Sequence, residues 1–148
     1  MKKLFVFAAI CALSISTIKA DGFDRDRIIT KEQLPATSQN FISEHFADSK
    51  IAYVKEDRDF ISKNYEVKFS DGSKVEFSRD GAWKEVSCRS VEVPSAIVPD
   101  QIEKYIKENY EGARIIEIDR DRNDYEVRLS NRLELTFDLK FNIIDIDD

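Results

Sequence analysis

The chain contains one histidine, two cysteines, three prolines and four glycines in 148 residues, and each scarcity excludes something. Cys11 sits in an apolar N-terminal stretch that is expected to be removed. Cys88 then remains as a single thiol, so no internal disulfide can hold the fold together. His45 is the only histidine, and no metal-hydrolase, nucleophile-elbow or phosphate-loop pattern occurs anywhere. The sequence therefore reads as a non-enzyme, with no catalytic residue, no metal and no cofactor. Little glycine and proline beside ten Phe, five Tyr and one Trp argues for a packed globule over a disordered linker. Basic residues are outnumbered, 23 against 29 acidic ones. That balance disfavours nucleic acid and anionic lipid as partners, because neither finds a basic patch to neutralise it.

A long hydrophobic run occurs once. Lys2 and Lys3 precede "LFVFAAICALSIS" (residues 4–16), and Ala20 then offers a small residue before Asp21. This is the pattern of a secretory signal peptide over residues 1–20, too short and wrongly flanked for a membrane anchor. A lipoprotein site would need a small residue before the cysteine, but Ile10 precedes Cys11. The expectation is a periplasmic or secreted protein of residues 21–148, a size suited to one domain and without a membrane span. Removing three lysines leaves 23 − 3 = 20 bases against 29 acids, a net charge of −9.

The chain also writes one pattern twice. "NYEVKFS" (64–70) returns as "DYEVRLS" (124–130). Shifted by 64, residues 34–58 lie over 98–122: Pro35 meets Pro99, Phe41 meets Tyr105, and Ile42 meets Ile106. Ile51 meets Ile115 and Val54 meets Ile118. Four extra residues follow in the first copy, after which a shift of 60 sets Tyr65, Val67, Val75 and Phe77 on Tyr125, Val127, Leu135 and Phe137. Two units result, about 28–88 and 89–148.

Each unit opens with a helix, since Pro35 and Pro99 sit where a helix begins and a missing N–H costs nothing. Ile102, Tyr105, Ile106 and Tyr110 recur at helical spacing, with Glu103–Lys107 and Lys104–Glu108 pairs on the outer face and Gly112 placed to end the helix. The period then changes to two. Asp71-Gly72 and "RDG" (79–81) mark turns between alternating runs. Strands are predicted at about 50–57, 63–70, 73–78 and 82–88, then 113–121, 124–130, 133–138 and 142–147. A helix on four strands of some sixty residues has a marginal core alone, so two units sharing one sheet complete the fold. The class is α+β: tandem α-β-β-β-β repeats, one antiparallel sheet, both helices on one face, the other face open to solvent.

A signal peptide, then "LP" and "VP" helix starts, "YEV" strands and a turn into "GAWKEV" (81–86), resembles the periplasmic PepSY-like proteins, which are similar in fold to the beta-lactamase inhibitor protein. The resemblance spans residues 28–148, although "KFNIID" (140–145) replaces the tryptophan motif in the second unit. It implies a secreted non-catalytic module, inhibitory or protein-binding, whose partner is another periplasmic or secreted protein.

Candidate functional residues are few. His45 lies at the edge of the first helix's apolar stripe, where the second copy has Asn109, and reads as structural. Cys88 shares the inward parity of Val86 and reads as a buried, inert thiol. "DRDRND" (119–124) has acidic loop spacing, but Asp124 stands where a calcium loop needs Gly and Ser130 where it needs Glu. The open sheet face carries more. Strict alternation puts Ala52 and Val54 inward with Ile116 and Ile118, and so Ile51, Tyr53 and Ile115 outward. Counting from Val86 and Ile146 likewise puts Trp83 and Ile143 outward. Ile51, Tyr53, Trp83, Ile115 and Ile143 thus make a candidate protein-binding face, unless a bulge turns Trp83 inward. The alternative is a small-ligand binder or weak hydrolase with a pocket between helices and sheet, disfavoured because the inward positions are mostly apolar.

Export gives the first test. The intact mass of the exported protein should correspond to residues 21–148 without added lipid; a retained Cys11 bearing acyl chains would overturn the assignment.

Overall fold

Runs of alternating residues separated by tight turns fold back on their neighbours in sequence. In the computed structural model, which describes residues 26–58 and 62–148, they do so without a crossover. The expected signal peptide lies outside the described residues. One antiparallel sheet runs in the order β1 (Arg27–Ile29), β2 (Ile51–Arg58), β3 (Lys63–Phe69), β4 (Lys74–Phe77), β5 (Trp83–Ser87), β6 (Ile115–Arg120), β7 (Asp124–Leu129), β8 (Glu134–Asp138) and β9 (Ile143–Asp147). Helix α1 (Ala36–His45) connects β1 to β2, and α2 (Asp100–Asn109) connects β5 to β6. The class is α+β, as expected. The sheet has nine strands instead of eight, because β1 adds an edge; three residues are too few to show alternation.

The helices begin as their prolines dictate. Pro35 and Pro99 occupy the position just before the first turn, and their carbonyls accept from Gln39 and Glu103 N–H at 3.1 and 3.0 Å. On α2 the outer-face pairs form, Lys107–Glu103 at 3.0 Å and Lys104–Glu108 at 3.8 Å, each worth a few tenths of a kcal/mol at about 0.2–0.5. The inner faces bury Ser38 and Ile42 from α1, Ile102 and Ile106 from α2.

Both helices lie on one sheet face. Val67, Val75, Val86, Ile118, Val127 and Leu135 are paired across successive strands, so they point the same way, and all are fully buried. Phe77 and Phe137 stand two residues along from Val75 and Leu135 and share that side. Phe41 of α1 meets Phe77 edge-on at 5.6 Å and 85°, and Tyr105 of α2 meets Phe137 at 5.5 Å and 86°. These are matching positions of the two segments, making the same aromatic contact.

The turns differ between the segments. Gly72 and Gly81 carry positive φ in the first; Arg132 (φ 78°) and Phe141 (φ 63°) take the matching places in the second. A side chain there is strained, and Phe141 offsets this by packing on Tyr125 at 5.6 Å. Gly81 has a second constraint. A Cβ at this position would lie 2.7 Å from Pro35 Cβ, and its carbonyl accepts from the buried Ser38 hydroxyl at 3.0 Å, fastening α1 to the β4–β5 turn. At Gly72 a Cβ meets nothing within 4 Å.

The two glycines therefore separate backbone strain from contact. Gly72→Ala should destabilise by about 1 kcal/mol, and Gly81→Ala by roughly 1–3 kcal/mol more. Urea titration of both variants checks this, and equal losses would show that α1 does not rest on Gly81.

Candidate functional site

Four β-bulges decide which residues reach the open face. In β2 Ile51 pairs with Phe69 and Tyr53 with Lys68, so Ala52 is an extra residue. In β5 Glu85 pairs with Glu76 and Trp83 with Phe77, leaving Lys84 extra. In β6 and β9 the extra residues are Ile116 and Ile144. An extra residue reverses the parity of everything beyond it. Ile51, Trp83, Ile115 and Ile143, expected outward by strict alternation, therefore turn to the helix side and pack on the core, Ile115 at 3% exposure. Ala52, expected inward, is exposed. Only Tyr53 of the five stays on the open face. It is 39% exposed and donates its hydroxyl to Glu66 Oε1 at 2.7 Å, a bond that raises its pKa. A doubled apolar pair at a strand end (Ile115-Ile116, Ile143-Ile144) is the sequence signal that breaks alternation.

Charge, not aromatic area, characterises the open face. Glu66, Glu76, Glu85, Asp119 and Glu126 are directly opposed on β3 to β7, one carboxylate per strand in a single row. Like charges directly opposed work against folding. Part of the row is neutralised: Lys74 Nζ reaches Glu76 at 2.9 Å and Glu85 at 2.8 Å. Burial would lower the Lys74 pKa, but bonds to Glu85 and Glu76 outweigh it and hold the ammonium well above its ordinary value. In the next row Arg128 bridges Glu117 at 2.7 Å and Glu134 at 2.6 Å, and the Ser87 hydroxyl donates to Glu117 at 2.7 Å. Among the described residues Asp119 and Glu126 have no ion pair. Burial, then the charges of Glu85, Glu117, Glu126 and Glu76, push Asp119 up to about 7. Burial and the Glu134 and Asp124 charges raise Glu126 as well.

Glu56 and Arg120 are ionisable groups at inward positions, which alternation alone did not single out. Glu56 is 3% exposed and takes Lys63 at 2.9 Å, Arg27 at 3.5 Å, and Arg58. Burial would raise its pKa, yet the bonds from Lys63 and Arg58 prevail and lower it. The matching position in the second segment is Arg120. Its guanidinium lies 4.6 Å from the Trp83 ring centre and donates to the Trp83 carbonyl at 3.0 Å. Cys88 is 1% exposed, and burial pushes its thiol up. The His45 ring lies 4.6 Å from that of Phe41, tilted at 58°. Among the described residues no group of three or more His, Cys, Asp or Glu is arranged to hold a metal ion, and no helix is long and apolar enough to cross a membrane.

Residues 63–145 match the model of a family described as "Putative beta-lactamase-inhibitor-like, PepSY-like". A solved structure from Bacteroides thetaiotaomicron, described as a "putative calcium-regulated periplasmic protein", is 53% identical, covering 83% of this chain and 97% of its own, with a TM-score of 0.82. A "putative periplasmic protein" from Bacteroides vulgatus is 49% identical, covering 86% and 100%, again with a TM-score of 0.82. A second one from Bacteroides vulgatus, a "putative periplasmic protein of unknown function", is 36% identical, covering 83% and 99%, with a TM-score of 0.79. No curated protein matches significantly.

Asp119 makes the open face sensitive to pH. Its folded pKa, about 7, exceeds the ordinary carboxylate value of 3.8, so the native state holds a proton more tightly than the unfolded chain. This stability is fully present below pH about 4 and is lost as pH rises to about 7. Asp119→Asn should therefore be more stable than the parent above pH 7, by on the order of 1–2 kcal/mol after allowance for solvent screening, with the gap closing toward pH 4. Urea melts at several pH values measure it; a constant gap would refute the assignment.

Proposed function

Since the chain belongs to the PepSY-like, beta-lactamase-inhibitor-like family, we propose that this periplasmic protein is a non-catalytic module that binds another periplasmic or secreted protein through the open face of its sheet. The carboxylate row carries the reading. Five acids on adjacent strands weaken the sheet they stand on, and Asp119 and Glu126 have no cation of their own among the described residues. Groups that cost folding stability are expected where a surface serves binding. The complement of this row is a cationic protein surface. Opposed potentials would speed encounter and set orientation, while Tyr53 supplies a rigid ring and hydroxyl at one end of the face. Ile51, Trp83, Ile115 and Ile143 support the face from beneath and do not form its contact surface.

Removing the excess charge should move stability and binding in opposite directions. The double variant Asp119→Asn/Glu126→Gln is expected to melt higher than the parent at pH 8. It should capture less of any cationic partner from periplasmic extract, and the parent's own capture should weaken as salt is raised. Tyr53→Ala should leave stability within about 0.5 kcal/mol and also weaken capture. Undiminished capture by the double variant would refute the open face as the contact surface.

A further inference from the structure

Acidic residues outnumber basic ones along this chain, yet at one end of the sheet the balance is reversed. The β4–β5 turn, the β6–β7 turn and the start of β3 together enclose an open cleft of ≈ 580 Å³. Lys63, Arg79, Lys84, Arg120 and Arg122 line it, with Asp121 as the single carboxylate among the described lining residues. Lys63 is committed to Glu56 at 2.9 Å. Asp121 accepts the backbone N–H of Arg122. The side chains of Arg79, Lys84, Arg120 and Arg122 have no salt-bridge partner among the described residues. Arg120 has the Asp80 carboxylate of the β4–β5 turn within electrostatic reach, and a bound anion would add to that neutralisation.

One of these cations is already fixed in place. The Arg120 guanidinium lies over the Trp83 ring and is tethered to the Trp83 carbonyl, and Trp83 itself stacks on Phe41 at 6.3 Å. A planar guanidinium held this way loses little freedom on binding, and its remaining N–H groups suit the two oxygens of a carboxylate or phosphate. The β5 bulge builds the arrangement: turning Trp83 inward provides the ring, and the extra residue, Lys84, is left exposed at the cleft. The volume falls in the range of small-molecule sites, about 300–1,000 Å³.

We infer that this cleft binds a small soluble anion bearing two or more carboxylate or phosphate groups, gripped by Arg120 on Trp83 and by Arg79, Lys84 and Arg122. The fold supplies its own reporter. Trp83 is the sole tryptophan of the chain, so intrinsic tryptophan fluorescence reads the cleft alone.

The test titrates the full exported protein with pyrophosphate and, separately, with citrate at low ionic strength. Acetate serves as the monovalent comparison. A saturable change in Trp83 emission is expected with at least one of the two multivalent probes and not with acetate. Response to pyrophosphate alone assigns a phosphate ligand, and response to citrate alone a carboxylate one. Arg79→Gln, at an exposed turn position, and Arg120→Gln should each weaken binding by about tenfold or more. Lys104→Gln/Lys107→Gln, which removes two cations from the outer face of α2, should leave it unchanged. No saturable change with either probe would overturn the inference. So would equal weakening by the α2 variant, which would reduce the effect to general electrostatic attraction.

Discussion

Ile29, Val54, Val67, Val75, Val86, Ile118, Val127 and Leu135 stand side by side on eight successive strands, one residue per strand, all on the side that the helices cover. Every other part of the molecule depends on that row staying in register. A one-sided sheet has a single apolar face, and a slip of one residue on any strand would exchange a valine for a neighbour from the other side. In β3 to β7 one of the two such neighbours on each strand is an acid of the row: Glu66, Glu76, Glu85, Asp119 or Glu126. Burying any of these beneath a helix without a partner costs several kcal/mol, about 3–5 in the mildest cases. The carboxylate row that weakens the sheet therefore also forbids its misalignment. Glu56 shows the exception. It is an acid on the buried side, tolerated because cations from β1, β2 and β3 surround it.

Much of this architecture was legible in the residues because it follows from local rules. Proline at the helix starts, glutamate–lysine pairs one turn apart, and alternation in "YEVKF" and "YEVRL" each have a physical cause that acts within a few residues. The face assignment was not legible in the same way. Counting by twos from Val54, Val86, Ile118 and Ile146 fails at Ala52, Lys84, Ile116 and Ile144, where the partner strand advances one residue and the bulged strand two. A bulge belongs to a pair of strands, and neither strand alone specifies it. Trp83 illustrates the result: an exposed anchor by parity, it instead packs on Phe41 and holds Arg120. Composition misled in a similar manner. The chain is acidic overall, yet the turns gather Arg79, Lys84, Arg120 and Arg122 at one end from two separate stretches of sequence.

The two halves reach the same geometry by different chemistry. Gly72 and Gly81 adopt left-handed turns at no steric cost, while Arg132 and Phe141 hold the same conformation under strain. Ser38 reaches across to the Gly81 carbonyl; its counterpart in α2 is the fully buried Ile102. Glu56 is ringed by bases, whereas Arg120 is stacked on an aromatic ring. The first segment thus invests its special residues in close packing of α1 on a turn. The second places its ionisable group beside the cleft.

The sheet does not close on itself, and its two margins are unequally protected. On one side β1 is only three residues long and ends the ladder quickly. On the other, β9 leaves Ile144 and Ile146 about half exposed, beside Asp145, Asp147 and Asp148. Charged side chains on a terminal strand keep separate molecules from adding to one another's sheets. Repulsion between like-charged margins is screened by salt. Concentrated salt would therefore weaken the guard on a strand that ends the ladder with two half-exposed isoleucines. Concentrated material is stored more safely at low ionic strength, where the C-terminal margins of separate molecules hold one another apart.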